Sequence, residues 1–143
     1  MGKVEYKLPE DLGTLTFGLP SHWVGARADG VDAVWIDQKA SPFKDNVTLK
    51  IRPVTKVDDG EQLLDVYIEK LINSLDEASP KSDAAKTPGR RSITFDNSIS
   101  GHDLTQQVSV LYTESAEKSY LLVLNHSRLT TGKPVDLSQA AIN

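Results

Sequence analysis

The chain has 143 residues, 16 Lys+Arg against 20 Asp+Glu for a formal net charge of -4, and no cysteine. That length suits one domain around a single sizeable core, and 38% hydrophobic with 25% charged residues argues against wholesale disorder. The missing cysteines exclude disulfides, thiolate metal sites and a cysteine nucleophile, and the dispersed charge leaves Arg90-Arg91 as the nearest thing to a phosphate-gripping patch, which speaks against nucleic acid.

No apolar run is long enough to cross a bilayer; the longest, from Tyr120 to Leu124, is strand-sized. The opening Met-Gly-Lys-Val-Glu-Tyr carries no signal-peptide apolar region. It begins Met-Gly, but Tyr6 stands where a myristoylation signal wants Ser or Thr. The expectation is a soluble cytoplasmic protein as written. An exported or envelope-associated protein whose leader had been removed would read the same.

In chain order, residues 1–12 alternate weakly through Val4, Tyr6 and Leu8, as an edge strand or arm does. Residues 14–20 form a clearer strand, with Leu15, Phe17 and Leu19 on one face. Pro20-Ser-His-Trp23 turns the chain, with Trp23 as a core plug beneath it. Gly30 precedes 31–37, whose near-continuous apolar character predicts a strand covered on both faces. Residues 39–44, with Ser41-Pro42, read as a loop.

The most secure stretch follows. In Asn46-Val-Thr-Leu-Lys-Ile-Arg-Pro53, Val47, Leu49 and Ile51 alternate with Thr48, Lys50 and Arg52, so one face meets a core. The period then changes. Leu63, Leu64, Tyr67, Ile68, Leu71, Ile72 and Leu75 predict an amphipathic helix, with Asp58 three residues before Glu61 as a capping-box variant.

Residues 76–89, with two prolines, read as a long solvated connection. The remainder is a meander. Strand 91–97 buries Ile93 and Phe95, a turn falls at Asp96-Asn97-Ser98, and strand 104–112 follows. A polar hairpin loop at 113–118 leads to a central strand over 119–127. Residues 136–142 look like the first turns of a helix. The sum is one α+β domain: an antiparallel sheet of about six strands with a main amphipathic helix packed on it.

Two short motifs now become informative together. Leu19-Pro20-Ser-His-Trp23 resembles the strand-to-turn entry of proteins with the PsbP-like three-layer α/β/α fold. Phe43-Lys-Asp-Asn46-Val47 resembles the step into a strand in actinobacterial LpqN/LpqT-type lipoproteins. The order of elements is similar over nearly the whole chain, although no leader or lipidated cysteine is present and the C-terminal helix is abbreviated. The resemblance implies a PsbP-like sandwich and little chemistry. Relatives of that fold are binding or accessory modules: photosystem subunits, Ran-binding factors and secretion-effector chaperones of the DcrB-like group.

Candidate sites are few. His22, His102 and His126 have no metal-ligand spacing. His102-Asp103 could orient an imidazole, but neighbours on a strand point to opposite faces. Ser100-Gly101 lacks a nucleophile elbow. The carboxylate pairs Asp58-Asp59 and Asp76-Glu77 read as solvated charge around the helix ends. Asn46-Val-Thr48 and Asn125-His-Ser127 match glycosylation acceptors by chance. Arg90 and Arg91 could meet an acidic partner.

Trp35 and Tyr112 would line the sheet and, if a second layer is thin, a groove for a peptide, apolar ligand or partner helix. The sequence therefore points to a non-enzymatic binding module needing no cofactor and no metal, with oligomeric state open. The alternatives are a chaperone-like adaptor for a secreted protein and an enzyme with a His102/Asp103 pocket, which a pKa-perturbed histidine in a concave site would favour.

Overall fold

The computed structural model describes residues 2–39, 43–76, 80–82 and 84–143. Ser41-Pro42 of the expected loop and Glu77 of the second carboxylate pair lie outside them. β1 (Gly2–Lys7) and β2 (Thr14–Leu19) pair antiparallel, and β10 (Ala141–Ile142) runs along the other side of β2. The larger sheet contains β3 (Trp23–Ala26), β4 (Ala33–Asp37), β5 (Asn46–Thr55), β6 (Ala85–Thr87), β7 (Arg90–Ile99), β8 (His102–Glu114) and β9 (Lys118–Leu129). Its order is β3-β4-β5-β9-β8-β7-β6, antiparallel throughout. The one helix among the described residues, α1 (Gly60–Ser74), follows β5.

The class is α+β, as the pattern predicts, but the sheet is not one of about six strands: there are two sheets, of three and seven strands. The difference arises at the chain ends. Leu15, Phe17 and Leu19 alternate as expected, yet they point down onto the large sheet and do not extend it. Residues 136–142 also depart from expectation. A local turn forms, with the Ser138 N–H donating to Asp136 Oδ1 at 2.9 Å, but the chain then extends into β10. The Thr14 N–H donates to the Asn143 carbonyl at 2.9 Å and the Asn143 N–H to the Thr14 carbonyl at 2.8 Å. Sheet pairing outweighs the weak helical preference of two turns. Gly13 admits this approach, since its φ is +109° and a Cβ there would lie 2.5 Å from the Asn143 carbonyl oxygen.

Other elements shift by smaller amounts. The helix cap is Asp59, whose side chain accepts from the Gln62 N–H at 3.1 Å, and not Asp58. Asp96-Asn97-Ser98 continues β7; the turn comes at Ser100 and Gly101, both at positive φ. The connection after α1 includes β6 and a bridge between Lys81 and Phe95.

Two cores flank the seven-stranded sheet. Val47, Leu49, Leu122 and Leu124 face the three-stranded sheet and the C-terminal segment, which supplies Val135, Leu137 and Ala140. Ile93, Phe95, Val108, Val110, Leu121 and Val123 face α1, which inserts Leu64 and Ile68. Because β9 is covered on both sides, its run from Tyr120 to Leu124 is apolar at every position.

Candidate functional site

The residues expected to share a groove do not share a face. Trp35 lies on the side of the three-stranded sheet, edge-on to Phe17 at 5.0 Å and to Tyr6 at 6.2 Å. Tyr112 lies on the helix side, against Gly60, where any Cβ would overlap its ring. Its hydroxyl donates to Glu114 Oε2 at 2.9 Å and lies 2.9 Å from Ser119 Oγ. The structure does not bring these two aromatic side chains together.

Arg90 and Arg91 also diverge. Arg90 turns to the C-terminal segment and donates to the Ser138 carbonyl. Arg91 is 2% exposed and fastens α1 to the sheet, donating from Nε to Asp65 Oδ1 at 2.7 Å and from Nη1 to Glu61 Oε1 at 3.2 Å. The hydrogen bond to Arg91 holds the Asp65 carboxyl below the usual carboxylate range. The second oxygen of Glu61 accepts from the Gly89 N–H at 2.8 Å. Arg91 is thus buried beneath α1, not presented as part of a basic surface.

The histidines separate as well. His22 lies 3.0 Å from Asp37, and His102 faces Phe43 with ring centroids 6.4 Å apart. His102 and Asp103 are successive residues of β8 and project to opposite faces. His126 is 1% exposed, and its pKa is lowered to about 4, first by burial and then by the charge of Arg128. No carboxylate among the described residues is hydrogen-bonded to its ring, so it belongs to no acid-oriented dyad. Among the described residues no three His, Cys, Asp or Glu side chains converge as a metal site would require.

An apolar hollow lies elsewhere. α1 lies over β7 and β8 and leaves the same face of β5 beside it uncovered. Between them a cavity of about 380 Å³ has Leu63, Val66, Tyr67 and Leu71 of α1 on one wall and Val54 and Leu121 on the other. A second, of about 310 Å³, runs on past Tyr67 and Leu71 over Val108, Val123 and Phe95. Three cations edge this groove: Arg52 and Lys70 at the first cavity, Lys50 at the second. The Arg52 guanidinium sits 5.8 Å above the Tyr67 ring. Among the described residues Lys50, Arg52 and Lys70 have no ion pair and no Asp or Glu lines either cavity. Val66 is 41% exposed, and Asn125 Oδ1 is buried at the second cavity without a donor among the described residues.

Sequence reasoning missed this groove because Thr48, Lys50 and Arg52 read as an ordinary solvated strand face. A signal was present: two cations in register with Val54 on a central strand, beside a helix with Val66 and Lys70 on a flank.

No protein-family model matches the chain, and no curated protein sequence does. Solved structures do. LpqN of Mycobacterium tuberculosis, described as involved in cell envelope biogenesis, superposes with a TM-score of 0.67 at 18% identity, over 90% of this chain and 79% of that one. The Ran-binding protein Mog1p of Saccharomyces cerevisiae gives 0.51 at 10% identity, over 87% of this chain and 77% of that one. A single-substitution variant of Mog1 gives 0.52 at 10% identity, over 91% and 80%. At these identities the likeness is one of fold, and the fold of this chain is the LpqN type.

Proposed function

We propose that this domain is a non-enzymatic binding module that holds an apolar chain with an anionic end in the groove between α1 and β5. The observation that carries this reading is the groove's composition: an apolar floor edged by Lys50, Arg52 and Lys70, with no carboxylate among the described residues of the lining. A chain of about ten methylenes, half covered, contributes roughly 4 kcal/mol. Each exposed charge adds less than about 1 kcal/mol. The floor therefore sets affinity and the cations set which end group is preferred. An envelope setting agrees with the involvement of LpqN in cell envelope biogenesis.

Isothermal titration with dodecanoate and dodecyltrimethylammonium, both below micelle formation, tests it. Dodecanoate is expected to bind at least about 10-fold more tightly, and the triple variant Lys50→Glu, Arg52→Glu, Lys70→Glu to remove that preference. Equal affinity for the two heads would refute the role of the cations, and no binding of either would refute the apolar groove.

A second reading, a protein-binding adaptor, draws on Mog1 being described as Ran-binding. An acidic-apolar segment of a partner would use the same groove. Native mass spectrometry of the protein taken gently from its source cells separates the two: a small added mass supports the amphiphile, a co-purifying chain the adaptor.

A further inference from the structure

The opposite face of the seven-stranded sheet holds a hollow of different chemistry. Register puts Thr94, Gln107 and His126 in one cross-strand row and Thr105 and Arg128 in the next. Together with Pro134, Val135 and Asp136 of the C-terminal segment they line a cavity of about 320 Å³.

Two of these groups are left with unused hydrogen-bonding capacity. His126 is 1% exposed, and its Nε2 has no partner among the described residues. Buried polar atoms in folded proteins are paired in the large majority of cases, so an orphan beside a cavity points to an occupant. Arg128 donates from Nη1 to the carbonyls of Leu129, Thr130 and Gly132 at 3.3, 3.2 and 3.0 Å. That fixes the guanidinium. Its Nε and Nη2 donate to nothing among the described residues, and this edge has the geometry that receives a carboxylate by two parallel hydrogen bonds.

Asp136 is the one carboxylate of the lining among the described residues, and Asp96, next in the row of Thr105 and Arg128, accepts from the Thr105 hydroxyl at 2.8 Å. Hydrogen bonds from the Ser138 hydroxyl and N–H hold it below the usual carboxylate range, so it stays ionised. An ionised carboxylate in the wall disfavours a dianion such as phosphate more than a monoanion, and it suits a ligand that also carries an amine. Pro134 and Val135 offer a small apolar surface.

We propose that this cavity binds a small organic carboxylate of amino-acid size, with the carboxylate on the free edge of Arg128 and further hydrogen bonds from Gln107 and His126. The site lies on the other face from the groove and does not rest on that reading.

The test is titration of the ¹⁵N-labelled full chain with alanine, glutamate, lactate, acetate and inorganic phosphate, following the Gln107 side-chain amide and the His126 ring nitrogens. At least one carboxylate is expected to give saturable shifts there below about 10 mM, with phosphate at least about 10-fold weaker. Alanine binding more tightly than lactate assigns an ammonium to Asp136; equal binding assigns a simple carboxylate, and either supports the site. Arg128→Met is expected to weaken binding at least about 10-fold. Because Arg128 also holds its turn, Gln107→Leu serves as a second variant, expected to weaken binding about 3-fold without disturbing the remaining spectrum. No saturable shift from any carboxylate, tightest binding of phosphate, or unchanged binding by both variants would overturn the proposal.

Discussion

The two faces of the seven-stranded sheet are covered by different means, and the difference separates structural burial from available surface. On one face a second sheet and the C-terminal segment spread Leu15, Phe17, Leu137 and Ala140 over Val47, Leu49, Leu122 and Leu124, all buried. On the other a single helix covers β7, β8 and part of β9, and β5 is left beside a groove. A helix is about 10 Å wide, some two strand spacings, so one helix cannot roof seven strands. The sheet-covered face therefore answers mainly to stability and keeps a small polar hollow beside Arg128, while the helix-covered face keeps an apolar groove open to an occupant.

Core truncation is expected to have the largest effect on either face. Leu122 and Leu64 are both fully buried, one on each face. Leu122→Ala is expected to cost about 4 kcal/mol in urea unfolding, and Leu64→Ala about 3 kcal/mol, because α1 can settle toward the open groove and fill part of the void. Equal costs, or the reverse order, would mean that the helix face is packed as tightly as its opposite.

Acid acts on the sheet-covered face through His126. Its folded pKa, about 4, lies below the ordinary 6.5. Between those values the unfolded chain binds more protons, so stability falls as pH drops through that window, by up to about 3 kcal/mol for this group. His126→Gln should flatten the difference in urea stability between pH 7 and pH 4.5, whatever it does to stability at pH 7. An unchanged slope would mean that the ring is not held neutral by burial.

On the helix face the corresponding polar element is Arg91. Replacing it by Met removes the bonds to Asp65 and Glu61, but both carboxylates are half-exposed and can be re-solvated. The expected cost is about 2 kcal/mol, below that of breaking a fully buried pair. Faster amide exchange along α1, with the three-stranded sheet unaffected, would localise the effect to one face.

Much of the fold is legible in the sequence, because alternation at Val47, Leu49 and Ile51 and the helical period from Leu63 to Leu75 are local. Which face an alternating side chain meets is not local. Trp35 and Tyr112 both look like sheet-lining aromatics, and only the register through β5, β9 and β8 shows that they lie on opposite faces, in different cross-strand rows. The chain ends misled for the same reason: Asp136-Leu-Ser138 starts as a helix would, and pairing with Thr14–Leu19 decides otherwise. The groove was hidden because it belongs to no single element. His126 looked unremarkable, since nothing local shows that the chain from Pro134 to Asp136 will pass beside it.

The central claim is that the helix-covered face, and not its opposite, takes the amphiphile. Mapping dodecanoate by amide and methyl chemical-shift changes on the full chain tests it most directly. Changes are expected to concentrate at Val54, Leu63, Val66, Tyr67, Leu71 and Leu121, around the groove. Changes centred on Leu15, Phe17 and Leu137, or spread evenly over both faces, would contradict it.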